Sequence, residues 1–156
     1  MFFGVRQDRN NDLVYREVDQ MTTRMQQVFR RGFLTYMAAL KKRANHEILH
    51  GKKSGRIYRV RTAAGRRRRH QASAPGETHA NLTGKLRKSL SWKVHGWQRA
   101  EFGYGVATNA KERAPFYAPF LEFGTRRMLP RPSLQNAIEA ETPERHFDEA
   151  FDREFR

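Results

Sequence analysis

His46-Glu47-Ile48-Leu49-His50 matches the pattern H-E-x-x-H. On a helix that spacing sets two imidazoles on one face, one turn apart. It also puts a carboxylate where it can take a proton from a zinc-bound water. The surroundings argue against that use. A catalytic zinc needs a third protein ligand, and in the extended form of the motif Lys53 stands at the glycine position and Arg56 at the final histidine position. Lys41, Lys42, Arg43, Lys52 and Lys53 crowd the pair with positive charge, an unfavourable field for a dication. The histidines are therefore read as decoration of a helix C-terminus, where the macrodipole tolerates them. No phosphate-binding G-x-x-x-x-G-K-[ST] loop and no G-x-S-x-G elbow occurs. Cysteine is absent, which removes a thiolate zinc site, a disulfide scaffold and a Cys nucleophile, and suits a reducing compartment. No catalytic, metal or cofactor residue is assigned, and the chain is read as a non-enzyme.

The second chemistry on offer is cationic. Lys52, Lys53, Arg56, Arg59, Arg61, Arg66, Arg67, Arg68 and Arg69 follow one another closely, and the whole chain carries a formal charge of +15. From Lys41 to His70, twelve Lys and Arg face the single acid Glu47; from Ala137 to Arg156, seven acids face three Arg. A domain this basic meets a polyanion or an acidic protein surface. The asymmetry suits one face on nucleic acid and another on neighbouring protein. These nine residues are the candidate nucleic-acid contacts.

The elements that must position them follow from periodicity. Val18, Met21, Met25, Val28, Phe29, Leu34, Met37 and Leu40 recur mostly three or four residues apart. They predict a core helix over 15–49, capped by Asn11 or Asp12 and ended near Gly51. Ile57–Arg61 reads as a short strand. Residues 62–82 read as an extended basic and Pro/Gly-rich loop, with Arg66–Arg69 solvated and projecting. Leu90, Trp92 and Val94, then Phe102, Tyr104 and Val106, alternate as a hairpin around Gly96 whose apolar face packs on the long helix. Gly103 and Gly105 allow another backbone to approach closely.

Ala114–Phe123 reads as a helix capped by Gly124, and a last helix beginning near Pro132 breaks at Thr142-Pro143. Phe147, Phe151 and Phe155 form an apolar stripe on the acidic segment 142–156, a candidate subunit contact. Glu122 is too costly to bury alone, and Arg131 across the Gly124–Pro130 loop is its expected ion-pair partner. The fold class is α+β in a single domain over 1–156: a short N-terminal arm (1–11), a long N-terminal helix packed on a small antiparallel sheet, C-terminal helices and a long basic loop. Charge enters the chain too early for a signal peptide, and no apolar run reaches a membrane span, so no membrane partner is expected.

Four stretches, in order, resemble the neck and tail-component family of long-tailed phages, the tail-completion or head–tail joining proteins. They are Ser54-Gly55-Arg56-Ile57-Tyr58; His70-Gln71-Ala72-Ser73-Ala74-Pro75-Gly76-Glu77 with Thr83-Gly84-Lys85-Leu86-Arg87-Lys88-Ser89; Tyr117-Ala118-Pro119-Phe120-Leu121-Glu122-Phe123-Gly124-Thr125; and Met128-Leu129-Pro130-Arg131-Pro132-Ser133-Leu134-Gln135-Asn136-Ala137. The Arg66–Arg69 run departs from the family pattern. The resemblance implies a virion structural protein made in the host cytoplasm, without cofactor. It implies a homo-oligomeric ring, hexameric or dodecameric, around the DNA channel. The implied neighbours are head-connector and tail-tube or tail-terminator proteins, with packaged double-stranded DNA as a further partner. Glu122, Gly124, Thr125, Arg131, Pro132, Phe147 and Phe151 would then be structural or interface residues. A free-standing, sequence-independent nucleic-acid-binding protein is the alternative, although no helix-turn-helix, zinc-finger or RNP-type motif is present.

Overall fold

The computed structural model describes residues 9–62, 64–106 and 113–156. Helix α1 (Arg9–His50) is followed by β1 (Ile57–Arg61), β2 (Arg67–Gln71), α2 (Lys85–Ser89), β3 (Leu90–His95), β4 (Arg99–Tyr104), α3 (Ala118–Phe123), α4 (Leu134–Ala140) and α5 (Pro143–Phe155). The fold is α+β, with the strands in two separate antiparallel hairpins, β1–β2 and β3–β4, rather than one sheet.

Every proline lies C-terminal of Ala74, so nothing interrupts α1 over its 42 residues, about 63 Å at 1.5 Å per residue. The chain is already helical at Arg9, which puts Asn11 and Asp12 inside the helix rather than at its cap. The core occupies the C-terminal two-thirds of α1. Val28, Met37, Leu40, Ala44 and Ile48 are buried there. Ala44 meets Leu90 and Ala137, with Phe102, Tyr104 and Leu134 packed around them. The expected single core stripe does not extend to the N-terminal third. Val18 and Met21 stand in solvent, and Phe29 and Leu34 remain well exposed, because no described element reaches fully over them.

Helix α5 runs antiparallel to α1. Phe147 lies against Phe29 and edge-on to Phe33, at 6.0 and 5.2 Å between ring centroids. Gly32 permits this: a Cβ there would stand 2.5 Å from a Phe147 ring carbon. Further along, Glu154 pairs with Arg24 and Arg31, and the Arg24 guanidinium sits 4.5 Å over the Phe155 ring. The phenylalanine stripe of the acidic tail therefore serves in large part inside its own chain. Only Phe151 keeps nearly half of its surface in water. The close approach expected at the second strand is also internal, since the Ala114 backbone lies beside Gly105.

The largest departure from expectation is β2. The run read as a projecting loop is a strand, Arg67–Gln71, paired with β1. Gly65 makes the turn: its φ of +75° is left-handed, its N–H donates to the Thr62 carbonyl, and the Thr62 N–H donates to the Arg66 carbonyl. A glycine in that conformation closes the hairpin between Thr62 and Arg66. Two smaller differences concern ends. Helix α3 starts at Ala118 rather than Ala114, and β4 stops at Tyr104, before Val106.

Candidate nucleic-acid interface

Strand register decides which arginines share a face. Ile57 opposes Gln71, Arg59 opposes Arg69, and Arg61 opposes Arg67; these side chains lie on one side of the β1–β2 ribbon. Tyr58 opposes His70 and Val60 opposes Arg68 on the other. One face is thus a block of four guanidinium groups in two directly opposed pairs. Among the described residues, none of these four has an ion-pair partner, and all four are exposed. Like charges directly opposite destabilise a strand pair, and a lone two-stranded hairpin is marginal in water. The face is built at an energetic cost that a polyanion would offset.

The reverse face is tied to the body. Tyr58 and His70 meet edge-on at 5.4 Å, and Arg68 donates to the Leu82 carbonyl at 3.0 Å. Burial, then the Arg68 charge, holds His70 below its ordinary pKa. At the root, pairing continues through Gly55 N–H to the Ala72 carbonyl and Ala72 N–H to the Arg56 carbonyl, both 3.0 Å. Glu77 fastens the two sides. Its carboxylate accepts from Ser54 Oγ (2.6 Å), Ser54 N–H (2.9 Å) and Ala74 N–H (2.8 Å). These bonds, the Ser54 hydroxyl first, hold its pKa at about 2. Lys52 and Arg56 are exposed at the root. Lys53 is half-buried, its ammonium pulled below its usual value by burial against the raising effect of Glu77 and Glu47.

Beneath the root lies a second polar cluster, and here the expected Glu122–Arg131 ion pair is corrected. Glu122 is buried and caps α4 from outside that helix. Its carboxylate accepts the backbone N–H of Ser133 (2.9 Å), Leu134 (2.6 Å) and Gln135 (3.1 Å), and the Ser133 hydroxyl (3.2 Å). The helix's own N-terminal donors, with its dipole, take the role assigned to the guanidinium. Tyr104 hydroxyl bonds Ser133 Oγ in turn. Burial first, with the Glu122 charge also acting, raises the Tyr104 pKa.

Arg131 turns the other way, donating from Nε to the Ser73 carbonyl at 3.2 Å, while its N–H bonds the Leu121 carbonyl at 2.7 Å. Gly124 ends α3 with positive φ, and Thr125 pairs with Met128 across the loop that Pro130 and Pro132 follow. Gly76 N–H to the Pro130 carbonyl (2.9 Å) and Asn136 Nδ2 to Thr78 Oγ1 (3.3 Å) complete the block.

The H-E-x-x-H residues lie apart from the ribbon face. His46 and His50 are neighbours at 5.0 Å between rings, but the Glu47 carboxylate is held by Arg43 at 3.2 Å. His46 lines a cleft with Lys42, Arg43, Glu141 and Arg145. Among the described residues, no group of three or more His, Asp or Glu is arranged to hold a metal ion.

Sequence reasoning named the ribbon's arginines but not their faces, and it missed Ser54, Ser73 and Glu77 as the fastening. Gly65, four residues beyond the strand candidate Ile57–Arg61, was the available hairpin signal. No protein-family model matches the chain, and neither a curated protein nor a solved structure is similar to it.

Proposed function

We propose that the chain is a structural subunit of a tailed-phage particle, at the neck or tail end. It assembles into a ring and turns the β1–β2 ribbon toward the packaged DNA. The observation that carries the DNA part is the four-arginine face of Arg59, Arg61, Arg67 and Arg69, unpaired among the described residues. Guanidinium forks bind phosphate bidentately, and a two-stranded ribbon fits a groove of duplex DNA. Contacts of this kind grip the backbone and carry no sequence information. The virion part is supported by the order of the four stretches that resemble the neck and tail-component family. Three of them, 54–58, 70–77 and 128–137, are joined to one another through Gly55, Glu77, Gly76 and Arg131, and Glu122 brings in the fourth.

A free-standing nucleic-acid-binding protein is the second reading. It is favoured by the ribbon's attachment through its root, which leaves the arginine face open on a single chain. Light scattering of the purified protein, with DNA binding followed across a salt series, separates the two. A closed oligomer that binds duplex without sequence preference is the expected result. A monomer with the same salt-sensitive binding would replace the virion reading by the second, and absence of DNA binding would remove the DNA part of both.

A further inference from the structure

Two apolar surfaces are left uncovered at opposite ends of the molecule. On the N-terminal third of α1, Val14, Val18 and Met21 follow at i, i+4 and i+7, flanked by Leu13 and Tyr15, and all are more than half exposed. Beside α3, Phe116, Phe120 and Phe123 follow the same spacing, with Leu129 nearby. Phe116 is 84% exposed and Phe123 81%. The second surface belongs to the other end of α1. The α3–α4 connection is bonded to 73–76, and Glu77 in turn to Ser54, just past His50. At roughly 200 Å² per large side chain, each surface leaves on the order of 500 Å² in water. Together they come to about 1,000 Å², the lower bound of a specific interface.

Their borders, among the described residues, are opposite in charge. Asp12, Glu17 and Asp19 lie along the exposed α1 surface together with Arg16, while Arg24 is taken by Glu154. Arg113, Arg126 and Arg127 edge the α3 surface, while the one described acid there, Glu122, is buried in the cap of α4.

We infer that the N-terminal third of α1 of one copy docks on the Phe116–Phe120–Phe123 surface of the next. The contact is heterologous: two different patches at opposite ends of one chain. Such contacts run head to tail and close into a ring or extend as a filament, whereas a two-fold dimer would need a self-complementary patch. The inference assigns surfaces to the assembly proposed above, and rests on that reading.

The test uses the full chain and two charge-insertion variants at exposed positions, Val18→Glu and Phe123→Glu, sized by light scattering. Unchanged circular dichroism and melting of the monomer will show that both fold. Each variant alone is expected to be monomeric, and their equimolar mixture to form a dimer and nothing larger, since it retains one intact α1 surface and one intact α3 surface. In the cysteine-free chain, Val18→Cys mixed with Phe123→Cys is expected to give a disulfide-linked heterodimer, and either alone none. Wild-type oligomers that survive both substitutions would overturn the inference and leave the ring standing. So would disruption by one substitution only, which marks a two-fold contact. A wild-type monomer would overturn both.

Discussion

Glu122 offers the sharpest test of the local structure, because an ion pair and a helix cap predict different mutational patterns. Its carboxylate accepts three backbone N–H groups at the start of α4, and Ser133 there is fully buried. Hydrogen bonds to a charged acceptor are worth about 1.5–3 kcal/mol each and neutral ones about 0.5–1.5. Glu122→Gln keeps the shape but loses the charge, so about 1 kcal/mol per bond disappears, or about 3 in all. Glu122→Ala strands the donors. With water reaching Leu134 and Gln135 but not Ser133, the loss is about 3–5 kcal/mol.

Unfolding entropy near 2.1 cal/mol/K per residue makes 1 kcal/mol about 3 °C for a chain of 156 residues. The expected fall in Tm is thus about 10–15 °C for the alanine variant. Arg131→Ala removes one bond to the Ser73 carbonyl and is expected to cost about 1–2 kcal/mol, a few degrees. The double variant should be additive within about 0.5 kcal/mol. Thermal melts by circular dichroism at one protein concentration provide the readout, since assembly makes Tm concentration-dependent. Equal losses at Glu122 and Arg131, with a coupling above about 1.5 kcal/mol, would refute the cap and restore the ion pair. An unshifted Glu122→Gln would show that the carboxylate's charge plays no part.

Three further outcomes follow from the same geometry. Changing Arg59, Arg61, Arg67 and Arg69 together to Ser should leave Tm unchanged or raise it, because two opposed like-charge pairs vanish. It should also flatten the salt dependence of DNA binding, by about 0.9 in log–log slope for each phosphate no longer neutralised. Changing Arg56, Arg66 and Arg68 to Ser should flatten it less, and equal effects from both sets would show that the face does not matter. Acid should loosen the protein in two windows. His79, buried, is held at about 4 by burial first and then by Lys53, while the unfolded chain takes its proton near 6.5. The unfolded state therefore binds more protons in between, and stability falls by about 3 kcal/mol as pH drops through that range. Glu77, depressed from 4.5 to about 2, contributes above the higher value and loses its contribution as pH falls toward the lower one. Urea titrations at stepped pH should lose the first window in His79→Phe and the second in Glu77→Gln. Finally, chelator-free protein is expected to carry no stoichiometric zinc; one zinc per chain by elemental analysis, lost on His50→Ala, would contradict that.

The long helix, the β3–β4 hairpin and the break at Thr142-Pro143 are legible in the sequence because each writes a strong local signal: a period near 3.6, an alternation, a proline. Strand β2 is not, because alternation is visible only when the two faces differ, and Arg67–Arg69 put the same side chain on both. Propensity offers little help for such a run, and pairing with Ile57–Arg61 decides the matter. The Glu122 cap is half-legible. A lone carboxylate in an apolar turn must find partners, but those partners are backbone N–H groups, which leave no mark in the letters of a sequence. Arg131 is the obvious charge nearby and is the wrong one.

The exposed third of α1 shows the same limit from the other side. Val14, Val18, Met21, Met25 and Val28 continue one stripe, and periodicity reports that the stripe is apolar without reporting what covers it. Helix α5 covers the end at Val28, because its acidic C-terminus is drawn to Arg24 and Arg31; beyond Arg24 no described element is left to cover the rest. The same holds at Phe116 and Phe123, and at the arginine face of the ribbon. A chain that commits its helices to a small core centred on Ala44, Leu90 and Ala137 leaves three surfaces whose exposure is costly for an isolated monomer. Two are apolar with opposite charged borders, and one is cationic. The proposed assembly would answer all three at once, with copies covering one another's apolar ends and aligning their ribbons on one polyanion.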